Sequence, residues 1–216
     1  MTDRVERFLS GMDMSDHSLL CVGIDPGTKT GVAVVGWRGK PLRMEVLGLA
    51  TLTLHEAMSV CEMLMEGDIP CCFAFEDARE RQFFGREEQT LYRSLVRGDA
   101  SKLSRYKGKV MGAGAVRRDC AIWEEFFKAS GQVYVHVVPG YVRTKVTEGW
   151  VRDIGWHGTS SEHSRDALMV ARLRELIDCY RDGRRRKTKQ FYLGAVKART
   201  RRRVVEKLIL DGEDDD

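Results

Sequence analysis

Three acidic residues and one histidine, widely separated in the sequence, stand where a fold could bring their side chains together. Asp25 and Glu76 each end a short apolar run that is typical of a buried strand. His163 and Asp166 are three residues apart, so on a helix they share one face and lie about one turn apart. Carboxylates grouped in this way repel one another unless a cation lies between them. The spacing therefore predicts a cation site formed by these four side chains.

The types of these side chains indicate which cation and which reaction. Oxygen-rich ligands with a single imidazole suit Mg²⁺, or Mn²⁺ in its place, better than Zn²⁺. Two such ions about 4 Å apart activate a water molecule and stabilise the leaving oxygen of a phosphodiester. We expect Asp25 to bridge both ions. His163 is either a fourth ligand or the group that orients or deprotonates the attacking water.

Each of the four residues taken singly has an ordinary structural explanation. Asp25 precedes Pro26-Gly27, a turn-forming pair, and Asp166 is an acid near the start of a helix, where the helix dipole favours it. His163 alone fits a surface position on that helix, and Glu76 alone could pair with an arginine of the following segment. Only their joint occurrence indicates a site.

Basic residues are concentrated in two segments of the chain. The net charge of the 216 residues is +4, yet residues 181–203 carry eleven Lys or Arg against one acid. Residues 79–118 carry eleven basic residues against four acidic ones. Such concentrations on a nearly neutral body indicate a polyanionic partner, although a solubilising face and a disordered tail would give the same composition.

Apolar periodicity predicts an α/β chain in which strands and helices alternate after an opening hairpin. Thr53 with Glu56 forms a capping-box pattern, and Gly67 marks the end of the helix that starts there. Small residues such as Ala167 and Ala171 would let the last helix lie close against a sheet. The predicted strands cover 19–24, 32–35, 43–52, 69–75 and 133–138, and the predicted helices cover 54–66, 86–96, 110–130, 141–150 and 162–180.

Three segments together resemble the RuvC group of Holliday-junction resolvases in the ribonuclease H-like superfamily. They are Gly23-Ile-Asp25-Pro-Gly27-Thr-Lys-Thr-Gly31, Phe73-Ala-Phe-Glu76 and His163-Ser-Arg-Asp166-Ala-Leu. The resemblance covers residues 19–180. It implies a ribonuclease H-like fold, with a five-stranded mixed sheet whose first three strands are antiparallel, flanked by helices. It also implies a homodimer that makes paired nicks across a four-way DNA junction with a divalent metal, leaving 5′-phosphate and 3′-hydroxyl ends.

The resemblance also implies roles for single residues. Asp25, Glu76 and Asp166 match the metal-binding carboxylates, and His163 falls where the family has either Asp or His. Lys145 resembles a basic residue near the scissile phosphate. The family's aromatic wedge closely follows the second acid; here Phe83 and Phe84 come later and either take that role or belong to the core. Six residues are predicted to contact DNA: Lys145, Phe83 and Phe84, together with the nearby basic residues Arg143, Arg79 and Arg81.

The expected organisation has three parts: an N-terminal extension over 1–18, a nuclease domain over 19–180, and a basic then acidic tail over 181–216. The six cysteines lack metal-ligand spacing and are expected to be reduced core residues of an intracellular, cytoplasmic protein, associated with the nucleoid if its source is bacterial or phage. No membrane partner is expected, since no apolar run reaches spanning length. A non-catalytic junction-binding protein and an RNA-targeting nuclease of the same fold remain alternatives. The helix over 113–127 is the expected dimer interface.

Overall fold

The computed structural model describes residues 2–80, 100–142 and 145–194. Within these ranges, no helix is both long and apolar enough to cross a membrane. The strands are β1 (Leu19–Asp25), β2 (Thr30–Arg38), β3 (Arg43–Leu52), β4 (Cys71–Glu76), β5 (Tyr134–Val137) and β6 (Gln190–Leu193). The helices are α1 (Asp3–Ser10), α2 (Leu54–Glu66), α3 (Ala100–Ser130), α4 (Glu148–Asp153), α5 (Glu162–Ala171) and α6 (Glu175–Arg186), with one 3₁₀ turn at Ala78–Glu80.

The six strands form one mixed sheet in the order β3-β2-β1-β4-β5-β6. The first three strands are antiparallel, as predicted, and β1, β4, β5 and β6 run parallel. The sheet has one strand more than the five predicted, because Gln190–Leu193 pairs with β5. Only two of its residues, Phe191 and Leu193, are buried, and this short alternation lies within a basic stretch whose composition predicts a tail. The folded body therefore continues past residue 180.

Helices cover both faces of the sheet. On one, here called the α5 face, helices α4, α5 and α6 bury a core that includes Leu168 and Leu176. On the other, the α3 face, helices α1, α2 and α3 bury an aromatic core. In that core Phe127 of α3 stacks on Phe73 of β4, with ring centroids 4.9 Å apart. All six cysteines are buried and none forms a disulfide, which confirms the prediction that they are core residues.

Several predicted helix boundaries differ from those in the structure. The capping box at Thr53 is present and starts α2 as predicted. The helix predicted over 162–180 is instead α5 and α6, because Arg172 and Leu173 close a tightened turn onto the carbonyl of Val170. Helix α3 begins ten residues earlier than the predicted residue 110. Of the described residues in the helix predicted over 141–150, only 148–150 are helical, and they form the start of α4. The predicted helix over 86–96 lies outside the described residues.

Helix α5 lies unusually close to the first two strands. A Cβ added to Gly23 in β1 would lie closer than 3.0 Å to the backbone of Ala167 and Ala171, and one added to Gly31 in β2 would overlap the backbone of His163. Only glycine at these two strand positions leaves room for the helix backbone. The small residues of α5 lie against the sheet as their pattern predicted.

We expect Gly23→Ala to lower the free energy of unfolding by about 1–3 kcal/mol, since the new methyl group overlaps backbone atoms of α5. Gly112→Ala is the matched control, because a Cβ at that position in α3 meets nothing within 4 Å. Alanine there should stabilise the helix by up to about 1 kcal/mol. Urea unfolding measures both values. A Gly23→Ala variant as stable as the wild type would contradict the close packing described above.

Candidate functional site

The predicted acids on β1 and β4 come to the same edge of the sheet. The two strands are parallel neighbours, and Ile24 pairs with Phe75. Asp25 and Glu76 are the next residues along, so each ends its strand at that edge. Cys21 and Cys72, which share their alternation, belong to the core of the α5 face. The backbone therefore directs both acids towards the face that α5 covers.

The N-terminus of α5 lies over this edge. Ser161 caps the helix, and its hydroxyl also contacts that of Thr51 at the end of β3. Gly31, which pairs with Asp25 across the hairpin, allows the backbone of His163 to approach β2 directly. Because helix and hairpin are in contact at this point, His163 and Asp166 are carried to the end of β1.

Asp25 and His163 are joined directly. Asp25 Oδ2 lies 2.9 Å from His163 Nδ1, and 22% of the Asp25 side chain is exposed. Burial raises the pKa of the Asp25 carboxyl, the hydrogen bond from His163 opposes that rise, and the nearby charge of Asp166 adds to it. Asp25 is thus an acid whose charged form is destabilised unless a further positive charge comes near.

Asp166 is held by a lysine from the loop before α4. Lys145 Nζ donates to Asp166 Oδ2 at 2.9 Å and also to Glu162. These two carboxylates raise the pKa of Lys145, so the ammonium stays charged. The other oxygen of Asp166, Oδ1, is buried and accepts no hydrogen bond within the described part of the chain. An unpartnered carboxylate oxygen in such a position is costly unless a donor or a cation satisfies it.

The site therefore consists of two linked pairs rather than an assembled cage. Among the described residues, no group of three or more His, Cys, Asp or Glu side chains is arranged to hold a metal ion. The donor chemistry nevertheless fits Mg²⁺: carboxylates and one imidazole converge on one edge, and Asp166 offers a buried, unsatisfied oxygen. Ligation by all four predicted residues would require the two pairs to come together around the metal, with Asp166 Oδ1 as the carboxylate oxygen that has no partner among the described residues.

The predicted DNA contacts fall into three groups. Lys145 lies at the candidate site, as described. Arg79 is directed inward instead: its guanidinium binds both oxygens of Asp77 at 2.8 and 2.7 Å, and Glu124 at 2.6 Å. All three of its nitrogens are used by these internal bonds, which leaves little of Arg79 for a phosphate. The remaining predicted contacts, Arg81, Phe83, Phe84 and Arg143, lie outside the described residues.

Part of the basic stretch after residue 180 lies at the other edge of the sheet. The exposed residues 184–187 and Lys189 join the end of α6 to the start of β6. Since β4 and β6 both run parallel to β1, the register places Gln190, at the start of β6, level with Phe73, three residues before Glu76. The start of β6 is therefore roughly 10 Å, measured along the strands, from the edge that carries Asp25 and Glu76. A cavity of about 230 Å³, lined in part by Arg184, Lys189 and Asp68, opens at this opposite edge.

The sequence reasoning missed a buried polar network on the α3 face. His136, in the middle of β5 and fully buried, places Nδ1 2.8 Å from Asp77 Oδ2 and Nε2 2.9 Å from the side-chain nitrogen of Gln190. Tyr192 stacks on the imidazole ring at 4.3 Å. A histidine inside an apolar strand and an acid directly after another strand were visible signals. Their partners were hidden, because Gln190 and Tyr192 lie in the stretch assigned to the tail.

This network fixes the end of β4 and its neighbours. Burial by itself would raise the pKa of Asp77, but hydrogen bonds from Arg79 and His136 outweigh burial and hold that pKa well below its usual value. Through Arg79 and Glu124 the network also joins the 3₁₀ turn after β4 to α3. Because Glu76 immediately precedes Asp77, we infer that the network also fixes the backbone from which Glu76 extends.

Asp77→Asn should lower the free energy of unfolding by about 3 kcal/mol at neutral pH, because it leaves Arg79 without its buried counter-charge. The folded pKa of Asp77 lies below its unfolded value of about 3.9, so the stabilisation is complete above that pH. It is lost as the pH falls through the lower, folded pKa. The difference from wild type should therefore shrink on acidification below about pH 4 in thermal or urea unfolding. Asp153→Asn, which alters an exposed acid of α4, is the control and should change stability little at any pH.

No protein-family model matches this chain, and neither the curated proteins nor the solved structures contain a match. The sequence motifs and the geometry at the Asp25 edge are therefore what supports a function. The described geometry amounts to two acids at adjoining strand ends and two helix residues, His163 and Asp166, lying over them, with Lys145 bound to Asp166.

Proposed function

We propose that this protein is a metal-dependent, structure-selective endodeoxyribonuclease of the RuvC-like type, which resolves four-way DNA junctions by paired nicks. One observation carries the proposal: residues 25, 76, 163 and 166 come from three separate elements, and the sheet register and α5 bring them to one edge. The mixed sheet with three antiparallel strands at its start is compatible with the ribonuclease H-like fold that the resemblance implies. Other branched DNA is an expected substrate as well.

Asp25, Glu76, His163 and Asp166 would hold the metal, two Mg²⁺ ions in the proposal, with Mn²⁺ able to substitute. When bound, the metal supplies an activated water and neutralises negative charge on the phosphate. Asp25 is suited to this role because burial and the charge of Asp166 both raise its pKa, so its carboxylate is stabilised by any added cation. His163, bonded to Asp25 through Nδ1, orients that carboxylate.

Lys145 would contact the scissile phosphate. Its side chain is 69% exposed, and its ammonium already lies against Asp166, so a phosphate that reaches the acids also comes within reach of Lys145. Further contacts to the DNA backbone would come from the basic segments of the sequence. Gly194, the last described residue, follows β6 at the edge that carries the acids. Such contacts position DNA without reading its sequence.

A non-catalytic junction-binding protein is the second candidate, and one observation favours it. Both acids that the structure pairs have an internal partner, the His163 imidazole for Asp25 and the Lys145 ammonium for Asp166. Acids held by internal partners in this way need no metal to lie near DNA. The two functions differ in whether divalent metal produces cleavage, and an RNA-targeting nuclease differs in which substrate is cleaved.

Asp25→Asn and Asp166→Asn should each lower the nicking rate more than about a hundredfold, because each removes a charged metal ligand. Binding to a four-way junction should persist or tighten, since a negative charge next to the DNA is lost. Asp68→Asn is the control: it makes the same change in charge at an exposed position on the opposite edge of the sheet. Nicking of labelled junctions and gel-shift binding measure the two effects.

The assay also separates the candidate functions. Symmetric nicks confined to the junction, dependent on Mg²⁺ and lost on chelation, support the resolvase. Cleavage of an RNA–DNA hybrid in preference to the junction supports the RNA-targeting nuclease. Tight junction binding without cleavage at any Mg²⁺ or Mn²⁺ concentration supports the binding protein. Full activity of Asp25→Asn or Asp166→Asn would contradict the metal site. Paired nicks also require two active copies, so light scattering should detect a homodimer.

A further inference from the structure

Lys145 binds Asp166, an acid that a metal ion at the candidate site would also bind. Its ammonium donates to Asp166 Oδ2 at 2.9 Å, while the neighbouring Oδ1 is buried without a partner among the described residues. The carboxylate is therefore half satisfied by an internal cation. The Asp166 side chain is only 11% exposed, so a second cation that reaches it must come close to the first.

A divalent ion and an ammonium cannot both bind one small carboxylate without strong repulsion. Two positive charges about 4 Å apart at a partly buried site repel each other unless water screens them fully. Of the two cations, the lysine is the one that can move, because its stem is flexible and largely exposed. Binding of metal at Asp166 should therefore displace the Lys145 ammonium.

Glu162 gives the displaced ammonium a second partner. It is the first residue of α5, one turn before Asp166, and its carboxylate already accepts from Lys145. Glu162 is 63% exposed, so Lys145 can keep this bond while its Nζ moves outward from the site. The lysine thus has an inner partner, Asp166, and an outer one, Glu162.

We propose that Lys145 is a displaceable internal counter-ion, which neutralises Asp166 without metal and moves outward, onto Glu162 and a DNA phosphate, when a divalent metal binds. This inference rests on the proposed metal site and deepens it. Because the ammonium gains a phosphate only when DNA is present, metal binding and DNA binding promote each other. Metal alone should bind the free protein weakly and bind the protein–junction complex more tightly.

The test measures Mn²⁺ affinity by titration calorimetry on the full chain without DNA. Lys145→Met removes the ammonium but keeps most of the stem, and Mn²⁺ should then bind about fivefold more tightly or better. Lys145→Gln should behave in the same way. Lys29→Met is the matched control, since it removes the same charge from an exposed lysine in the turn that follows Asp25. It should leave the affinity close to that of the wild type.

Two further measurements distinguish displacement from simple repulsion. In the wild type, the side-chain ¹⁵N resonance of Lys145 should shift on Mg²⁺ addition, and a metal-bound structure should show Nζ bonded to Glu162 but not to Asp166. A four-way junction should raise the Mn²⁺ affinity of the wild type by a larger factor than that of Lys145→Met. An ammonium that stays on Asp166 with metal bound, or a Lys145→Met affinity equal to the wild-type value, would overturn the inference.

These failures are distinguishable from failure of the proposed function. If the wild type binds Mn²⁺ and nicks junctions but Lys145→Met leaves the affinity unchanged, only the counter-ion role is lost. If the wild type binds no divalent metal and cleaves no DNA, the metal site itself is excluded. A signature of the full proposal is a Lys145→Met variant that binds metal more tightly yet nicks more slowly, because the phosphate contact is gone.

Discussion

The contact between helix α5 and the β1–β2 hairpin is the constraint on which the rest of the site depends. The helix backbone comes so near the strands at Gly23 and Gly31 that no side chain fits between them. This contact fixes the rotation and the height of the helix together, because either a slide or a roll would drive backbone into backbone. Residues far apart in the chain can form one site only because that distance is so short. The close approach of α5 to the hairpin therefore contributes to the packing of the fold and also sets the positions of the residues at the candidate site.

Much of the Asp25 edge could be predicted from sequence because its signals are local. An apolar run that ends in an acid shows where a strand stops, and a three-residue spacing shows a shared helix face. Parallel pairing of β1 with β4 then brings Asp25 and Glu76 to one edge. The small residues of α5 also gave a correct indication of close packing. Whether the four side chains hold metal stays a prediction, since the described structure shows pairs rather than a cage.

The parts that could not be predicted depend on contacts between distant elements. Nothing near Lys145 in the sequence indicates that its ammonium reaches Asp166, 21 residues later. Strand β6 is short, and the charges around it look like those of a solvated tail. Its residue Gln190 completes a network with His136 across 54 residues. Arg79 looked like a phosphate contact because a basic segment follows, yet a buried acid two residues away binds it first.

Adjacent acids at the end of β4 serve opposite sides of the sheet. Glu76 is directed to the α5 face, while Asp77 enters the polar network on the α3 face. A slip of β4 by a single residue would exchange these roles and bring Phe73 and Phe75 out of the aromatic core at the same time. The register of β4 is thus specified twice, by the phenylalanines packed in the aromatic core and by the two acids at the end of the strand. An insertion within β4 should consequently be far less tolerated than one in the loop that precedes it.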